Sequence, residues 1–432
     1  MDGDSAVGRH RPADLSAGDP RSVIAAGTIG NMLEWYDFAI YGYFATAIGR
    51  TFFPQADQVA QVLAAFGIFA VGFLMRPLGG AVIGHLGDRF GRRAALTFSM
   101  VAMVVPTFLV GVLPGAAVLG VMAPILLTLL RMIQGLSVGG EYTTSIVFMV
   151  ERAPPGRRGL MASMACCGTT IGILLGSATG AALGSVMPAG ALEDWGWRVP
   201  FLMSLFLGVV GYLLRRHIPT TPKKAAAEGS PLLETLRKHG RLLAWLVGFS
   251  AFNAVAFYVS FVYLVSWLQF ADGIAPARAL GINTVSMVAL LPVMVGAGWL
   301  SDRIGRKPLM LAGAATGALG ALPFFWLMFH SDTGPVVLGQ MGFVLAVGLF
   351  CSAQAAAMVE VVPVAVRCTA ISLGYNLTVG IIGGCSPLVA TWLVNRTNND
   401  LSPAFLVMAA AAASFLTVLF YKETYRDKVE AA

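Results

Sequence analysis

Long apolar runs, broken by short clusters of charged and turn-forming residues, make up nearly the whole chain. Twelve runs stand out, at 22–48, 60–86, 93–113, 119–150, 159–187, 197–215, 241–271, 277–300, 307–330, 335–361, 367–394 and 401–421. A helix rises about 1.5 Å per residue, so each run can cross a hydrocarbon core of about 30 Å. The pattern predicts an all-α membrane protein with twelve transmembrane helices. Composition agrees: 57% of residues are hydrophobic and 12% charged, against about 25% charged in a soluble globular chain. The mean hydropathy is +0.75.

The pattern repeats. Gly84-His-Leu-Gly-Asp-Arg-Phe-Gly-Arg-Arg93 is answered 214 positions later by Gly298-Trp-Leu-Ser-Asp-Arg-Ile-Gly-Arg-Lys307, each between two apolar runs. A second echo, at an offset of 209, matches Glu151 with Glu360, Pro154 with Pro363 and Arg158 with Arg367. A period of half the chain means a duplicated architecture, the signature of secondary transporters whose sites lie between the repeats. The stretch 216–240 contains Pro219, Pro222, Pro231 and a Lys223–Gly229 run of linker composition. The expected organisation is a disordered tail (1–21), a six-helix bundle (22–215), the linker (216–240), a second six-helix bundle (241–421) and a short tail (422–432). No cleavable signal peptide precedes the first run, which is read as its own targeting signal.

The net charge of +7 is explained by topology rather than by a nucleic-acid partner. Of the 29 basic residues, 23 fall in the tails and loops on one side. Arg50, Arg198, Arg278 and Arg396 fall on the other side, and Arg76 and Arg131 lie inside runs. The positive-inside rule places both termini in the cytoplasm, in a plasma membrane that would be the inner membrane of a bacterium. Cys166, Cys167, Cys351, Cys368 and Cys385 sit in or beside runs, with no zinc-like spacing or disulfide framework. His10, His85, His217, His239 and His330 lie at run ends or in tails, so no catalytic or metal cluster is visible and an embedded enzyme is disfavoured. A channel is disfavoured because paired repeats deliver alternating access.

Two G-x-x-x-D-R-x-G-R-[RK] loops resemble the signature of the major facilitator superfamily. Further motifs are similar to its metabolite–proton symporter branch: Gly30-Asn-Met-Leu-Glu-Trp-Tyr-Asp-Phe38, Arg76-Pro-Leu-Gly-Gly80, the Arg131-to-Thr143 run, Asp194-Trp-Gly-Trp-Arg-Val-Pro-Phe201 and Gly374-Tyr-Asn-Leu-Thr378. The resemblance runs from residue 22 to about 395, and Gly140-Glu-Tyr-Thr143 looks most like the proline/betaine carriers. It implies two pseudo-symmetric six-helix bundles that import a small carboxylate-bearing metabolite with protons. The proton gradient supplies the energy; no cofactor, metal or obligate protein partner is implied, only lipid, substrate and protons. An organic-acid carrier, for α-ketoglutarate, citrate or shikimate, is the competing reading, and a non-transporting sensor the reading outside the class. Two departures stand out. The chain stops about eleven residues after the last run, whereas osmosensing members carry a long extension, and the fifth run lacks the Gly-Pro pairing of the antiporters.

Charges inside a membrane are functional candidates by default. Glu34 and Asp37 lie three apart on the first run, and Arg131 lies on the fourth at similar depth. Asp37 and Arg131 are expected to pair, Asp37 as proton site and Arg131 as the group that passes between Asp37 and the substrate carboxylate, with a permanent staple between helices as the alternative. Glu34 is either a second proton site or a helix–helix hydrogen-bonding group. Arg76, before Pro77 and a Gly pair, is read as structural at a helix break ahead of direct anion binding. Substrate-lining candidates are Tyr36, Asn253, Tyr258, Tyr263, Gln354, Tyr375 and Asn376, whose rings would suit a quaternary ammonium or imino group. Trp267 reads as interface belt. Gating candidates are Asp88, Arg89, Arg92, Asp302, Arg303 and Arg306 in the repeated loops, with Glu141, Glu151, Glu360 and Arg367. The Gly168, Gly172, Gly176 and Gly180 row marks one helix face, for tight packing or for sliding.

Overall fold

The computed structural model describes residues 20–79, 92–138, 141–188, 190–215, 235, 237–330 and 332–426. Among them the long helices form twelve segments. In the first half these are α1 (Pro20–Tyr43, resuming as Ala45–Phe52), α2 (Gln58–Gly79), α3 (Arg92–Val112), α4 (Met122–Ser137 and Glu141–Glu151), α5 (Arg158–Val186) and α6 (Arg198–Arg215). The second half contributes α7 (Gly240–Ala271), α8 (Pro276–Ile304), α9 (Arg306–Met328), α10 (Thr333–Val361), α11 (Arg367–Thr397) and α12 (Pro403–Leu419). Eight of the helices are long and apolar enough to cross a membrane by themselves. Segments of α3, α6 and α12 are shorter apolar helices.

Local chemistry sets the ends. The Asp57 carboxylate accepts from the backbone N–H groups of Val59 and Ala60, both at 3.0 Å, and starts α2. Gly305 stops α8 at φ +103°, a conformation that side-chain-bearing residues rarely adopt. Two helices carry a wide π turn mid-membrane, Val259–Tyr263 in α7 and Thr378–Gly383 in α11. Such turns shift the register of the side chains beyond them and recur at functional sites.

Burial is inverted relative to a soluble protein. Phe98, Phe206, Leu319, Trp326 and Leu338 are exposed, whereas Glu34, Asp37, Arg76 and Arg131 are buried. That is the arrangement a lipid solvent selects, with apolar groups outward and charges against one another. Trp267 departs from its expected place at the interface. It is 1% exposed, and its indole N–H donates to the Asp400 carbonyl at 2.8 Å, which anchors it inside the second half.

The two halves meet along α5 with α8, α2 with α11, α1 with α7 and α4 with α10 and α11. Small residues make the close approaches. A Cβ on Gly384 of α11 would lie 2.5 Å from Phe73 Cβ of α2, and one on Gly42 of α1 would clash with Val262 of α7. In the α5 glycine row, Gly172 packs on Met32 of α1 and Gly180 on Leu280 of α8. The row therefore serves contacts both within a bundle and between bundles.

Candidate functional site

The acids of α1 each find a different base. Three residues turn the helix by about 300°, about 60° short of a full circle, so Glu34 and Asp37 face different neighbours. Glu34 Oε1 accepts from Arg76 Nη2 of α2 at 2.6 Å. The Arg76 guanidinium lies 5.5 Å from the Trp35 ring, 5.3 Å from Phe38 and 5.1 Å from Phe73.

Asp37 does not meet Arg131 directly. Thr107 Oγ1 of α3 lies 2.9 Å from Asp37 Oδ2. Gln134 Nε2 donates to Thr107 Oγ1 at 2.5 Å, and Arg131 Nη1 donates to Gln134 Oε1 at 2.9 Å. The expected ion pair is thus a relay of two neutral groups between acid and base. The guanidinium is instead stabilised by aromatic faces, with its carbon 4.3 Å from the Tyr41 ring and 4.9 Å from Phe38. Its Nε and Nη2 have no hydrogen-bond partner and lie beside Gly72 of α2, inside the first bundle.

A cavity of about 30 Å³ lies between the bundles. That volume admits one or two waters. The first half contributes Trp35, Tyr142, Thr169 and Thr170, and the second Asn253, Phe257, Tyr258, Met294, Cys351 and Tyr375. Rings dominate: Tyr142 and Tyr375 have centroids 4.8 Å apart, and Trp35 lies 6.2 Å from Tyr142 and 6.4 Å from Phe257. Among the described residues no carboxylate lines this cavity. Buried polar atoms without a partner cluster around it: Trp35 Nε1, Asn253 Oδ1, the Tyr258 hydroxyl, and Nε and Nη1 of Arg76 behind them. Each such group costs about 1–3 kcal/mol unless something binds it.

Of the seven residues expected to line a substrate cavity, Asn253, Tyr258 and Tyr375 do so. Tyr36 points away and donates to the Pro200 carbonyl of α6 at 2.9 Å. Tyr263 packs on Phe66, Gln354 donates to Ser250 Oγ at 2.7 Å, and Asn376 donates to Ser372 Oγ of its own helix at 3.3 Å. Trp35, Tyr142, Thr107 and Gln134 were not singled out as site residues by sequence reasoning. Trp35 and Tyr142 belong to the quoted motifs around Glu34 and Glu141, and that neighbourhood was the available signal.

The face that carries the repeated motif is bridged between the bundles by ion pairs. Arg367 Nη1 of α11 donates to Glu151 of α4 at 2.5 Å, and Arg158 of α5 lies 3.5 Å from Glu360 of α10. These pairs are symmetry mates, since the offset of 209 turns Glu151 into Glu360 and Arg158 into Arg367. Asp302 of the second motif accepts from the N–H groups of Gly159 and Leu160 at 2.7 and 2.9 Å, capping α5 across the interface. Arg306 joins Asp302 at 2.8 Å to Glu360 at 2.9 Å, whereas Arg303 is exposed and stacks on Trp299. Asp88 and Arg89 lie outside the described residues, as do the side chains of Arg92 and Glu141.

The opposite face is closed by neutral bonds. Asn283 Nδ2 of α8 donates to the Tyr43 hydroxyl at 2.9 Å and to Ser177 Oγ at 3.2 Å, and its Oδ1 accepts from Gln340 at 3.1 Å.

Comparison with known proteins matches both halves. The sequence profile for "Sugar (and other) transporter" covers residues 23–229, and that for "Major Facilitator Superfamily" covers 273–432. The glycine betaine/proline/ectoine/pipecolic acid transporter OusA of Dickeya dadantii is 34% identical over 433 residues, 97% of this chain and 86% of that protein. The proline/betaine transporter of Escherichia coli K12 is 33% identical over the same span and coverage. An ectoine/proline transporter of Corynebacterium glutamicum is 33% identical over 424 residues, 94% and 84% of the two chains. Among solved structures, the proton:xylose symporter XylE bound to 6-bromo-6-deoxy-D-glucose superposes with a TM-score of 0.72 at 19% identity, over 94% of this chain and 96% of that one. The latter likeness speaks for the fold alone.

Proposed function

The chain belongs to the major facilitator superfamily, and on that premise we propose that it is a proton-coupled symporter importing a small zwitterion that bears a carboxylate and a quaternary or secondary ammonium. Glycine betaine and proline are the first candidates, because they appear in the names of relatives that align with nearly the whole chain. On this reading both termini face the cytoplasm of a bacterial inner membrane, which the excess of basic residues on that side supports.

The observation that carries the coupling is the Thr107 hydroxyl. It has one proton and two acceptors in reach, Asp37 Oδ2 at 2.9 Å and the Met103 carbonyl at 2.8 Å. When Asp37 is ionised, the hydroxyl donates to it. When Asp37 carries a proton, the carboxyl donates to Thr107, and the hydroxyl turns to Met103. Both states are fully hydrogen-bonded, so a proton can arrive and leave without stranding a buried polar group. Through Gln134 the change reaches Arg131.

Charge balance disfavours a tricarboxylate, and the aromatic lining favours a zwitterion over a dicarboxylate. Among the described residues, the mid-membrane interior holds two acids, Glu34 and Asp37, and two bases, Arg76 and Arg131. With the coupling proton bound that set carries one positive charge; a zwitterion leaves one uncompensated charge, a dicarboxylate one of opposite sign and a tricarboxylate two, the costliest in a low-dielectric interior. The rings of Tyr142, Phe257 and Tyr375 suit the cationic end. Transport alternates the two closures, ion pairs on one face and hydrogen bonds on the other, so that one opens while the other holds.

The test is tracer uptake in proteoliposomes under an imposed pH gradient, comparing glycine betaine, proline, citrate and α-ketoglutarate. Gradient-driven accumulation of betaine or proline that citrate does not compete supports the reading. Accumulation of citrate or α-ketoglutarate alone replaces it with the organic-acid reading.

A further inference from the structure

Among the described residues, the cation beside the cavity is Arg76, not Arg131. Trp35 and Tyr258 line the cavity, and Arg76 sits directly behind both. The Tyr258 hydroxyl lies beside the guanidinium without a hydrogen bond of good geometry. Arg76 is 2% exposed, spends Nη2 on Glu34, and keeps Nε and Nη1 unpartnered. Arg131 also has two unpartnered nitrogens, but they face the Gly72 backbone among the rings of Phe38, Tyr41 and Phe69. A ligand would have to cross packed side chains to reach them.

From this we propose that the substrate carboxylate binds at the cavity end facing Arg76, with Arg76 as its cation and the Tyr258 hydroxyl and Trp35 indole N–H as further donors. Asn253 Oδ1 is left as acceptor for an N–H of a secondary ammonium. Tyr258 belongs to α7, Trp35 to α1 and Arg76 to α2, so parting of the bundles exposes the guanidinium and their return encloses the bound group. Substrate and proton then use separate acid–base couples whose acids both belong to α1: Glu34 with Arg76 for cargo, and Asp37 with Arg131 for coupling. The assignment rests on the symport reading above and deepens it.

The test measures carboxylate preference. Labelled glycine betaine is exchanged by the full chain in proteoliposomes, with betaine amide, which lacks the carboxylate, as competitor. In the unaltered protein the amide should compete about 10- to 100-fold more weakly than unlabelled betaine. The double variant Glu34→Gln/Arg76→Gln, which removes both charges of the pair, should raise the KM for betaine by about that factor and abolish the preference. Tyr258→Phe keeps the ring and should lose preference by several-fold, which provides a second reading if the double variant does not fold. Arg131→Lys should keep the preference. An unchanged preference in Tyr258→Phe and in the double variant, or its loss in Arg131→Lys, overturns the assignment while uptake by the unaltered protein keeps the symport reading. Failure of the unaltered protein to take up or exchange any carboxylate zwitterion overturns both.

Discussion

At the scale of single residues, chemistry follows from which buried polar atoms have partners. Asp37, Glu34 and Arg131 were legible in the sequence because a charge in an apolar run is costly enough to need a reason. Thr107 and Gln134 were not, because threonine and glutamine in a span are also common helix–helix hydrogen-bonding groups. Only three dimensions place their side chains between Asp37 and Arg131. Replacing Thr107 with Val keeps the shape and removes the relay. Proton-driven accumulation should fall about tenfold, the equivalent of one charge-assisted bond, while exchange of labelled for unlabelled substrate persists; initial-rate uptake with and without a pH gradient separates the two. Tyr36→Phe is the opposite case. Its hydroxyl bonds Pro200 away from the cavity, so KM should stay within about twofold while stability falls by about 1 kcal/mol, read from substrate kinetics and thermal unfolding in detergent.

At the scale of elements, helix number and approximate ends could be read from hydropathy. The run expected at 277–300 extends to Ile304, and that expected at 60–86 begins two residues earlier at Gln58. The wide turns of α7 and α11 had no sequence signal, since a one-residue register shift leaves composition unchanged. They flank the cavity residues Tyr258 and Tyr375, so a lining inferred from sequence could not decide which polar positions turn inward. The offset of 209 showed that Glu151, Arg158, Glu360 and Arg367 correspond. It did not show that they pair crosswise, Glu151 with Arg367 and Arg158 with Glu360. We propose that this pairing is a reciprocal latch, which charge exchange tests. Glu151→Arg alone should hold the motif face open, raising the maleimide labelling rate of native Cys351 several-fold from that side and cutting transport. The Glu151→Arg/Arg367→Glu exchange should restore much of both, because coupling between close charges of this kind is worth about 1.5 kcal/mol or more. Equal labelling in the single and exchanged variants would rule out the latch.

At the scale of the whole molecule, the design is two bundles closed against each other at both faces around a small aromatic cavity, with all mid-membrane charge among the described residues on the first bundle. The second bundle supplies neutral aromatic and amide groups, Tyr258, Tyr375 and Asn253, so its rocking can open or cover the charged half without breaking a buried ion pair at mid-membrane. The difference between faces has an energetic consequence. Ion pairs on one side and neutral hydrogen bonds on the other give the two closures unequal salt sensitivity, with the charged face weakening as ionic strength rises. The most direct measurement is gradient-driven uptake and substrate exchange by Asp37→Asn protein in the same proteoliposomes. Exchange at a substantial fraction of the unaltered rate, with no accumulation under a pH gradient, is the expected result. Accumulation equal to that of the unaltered protein would contradict the role of Asp37 as the coupling proton site.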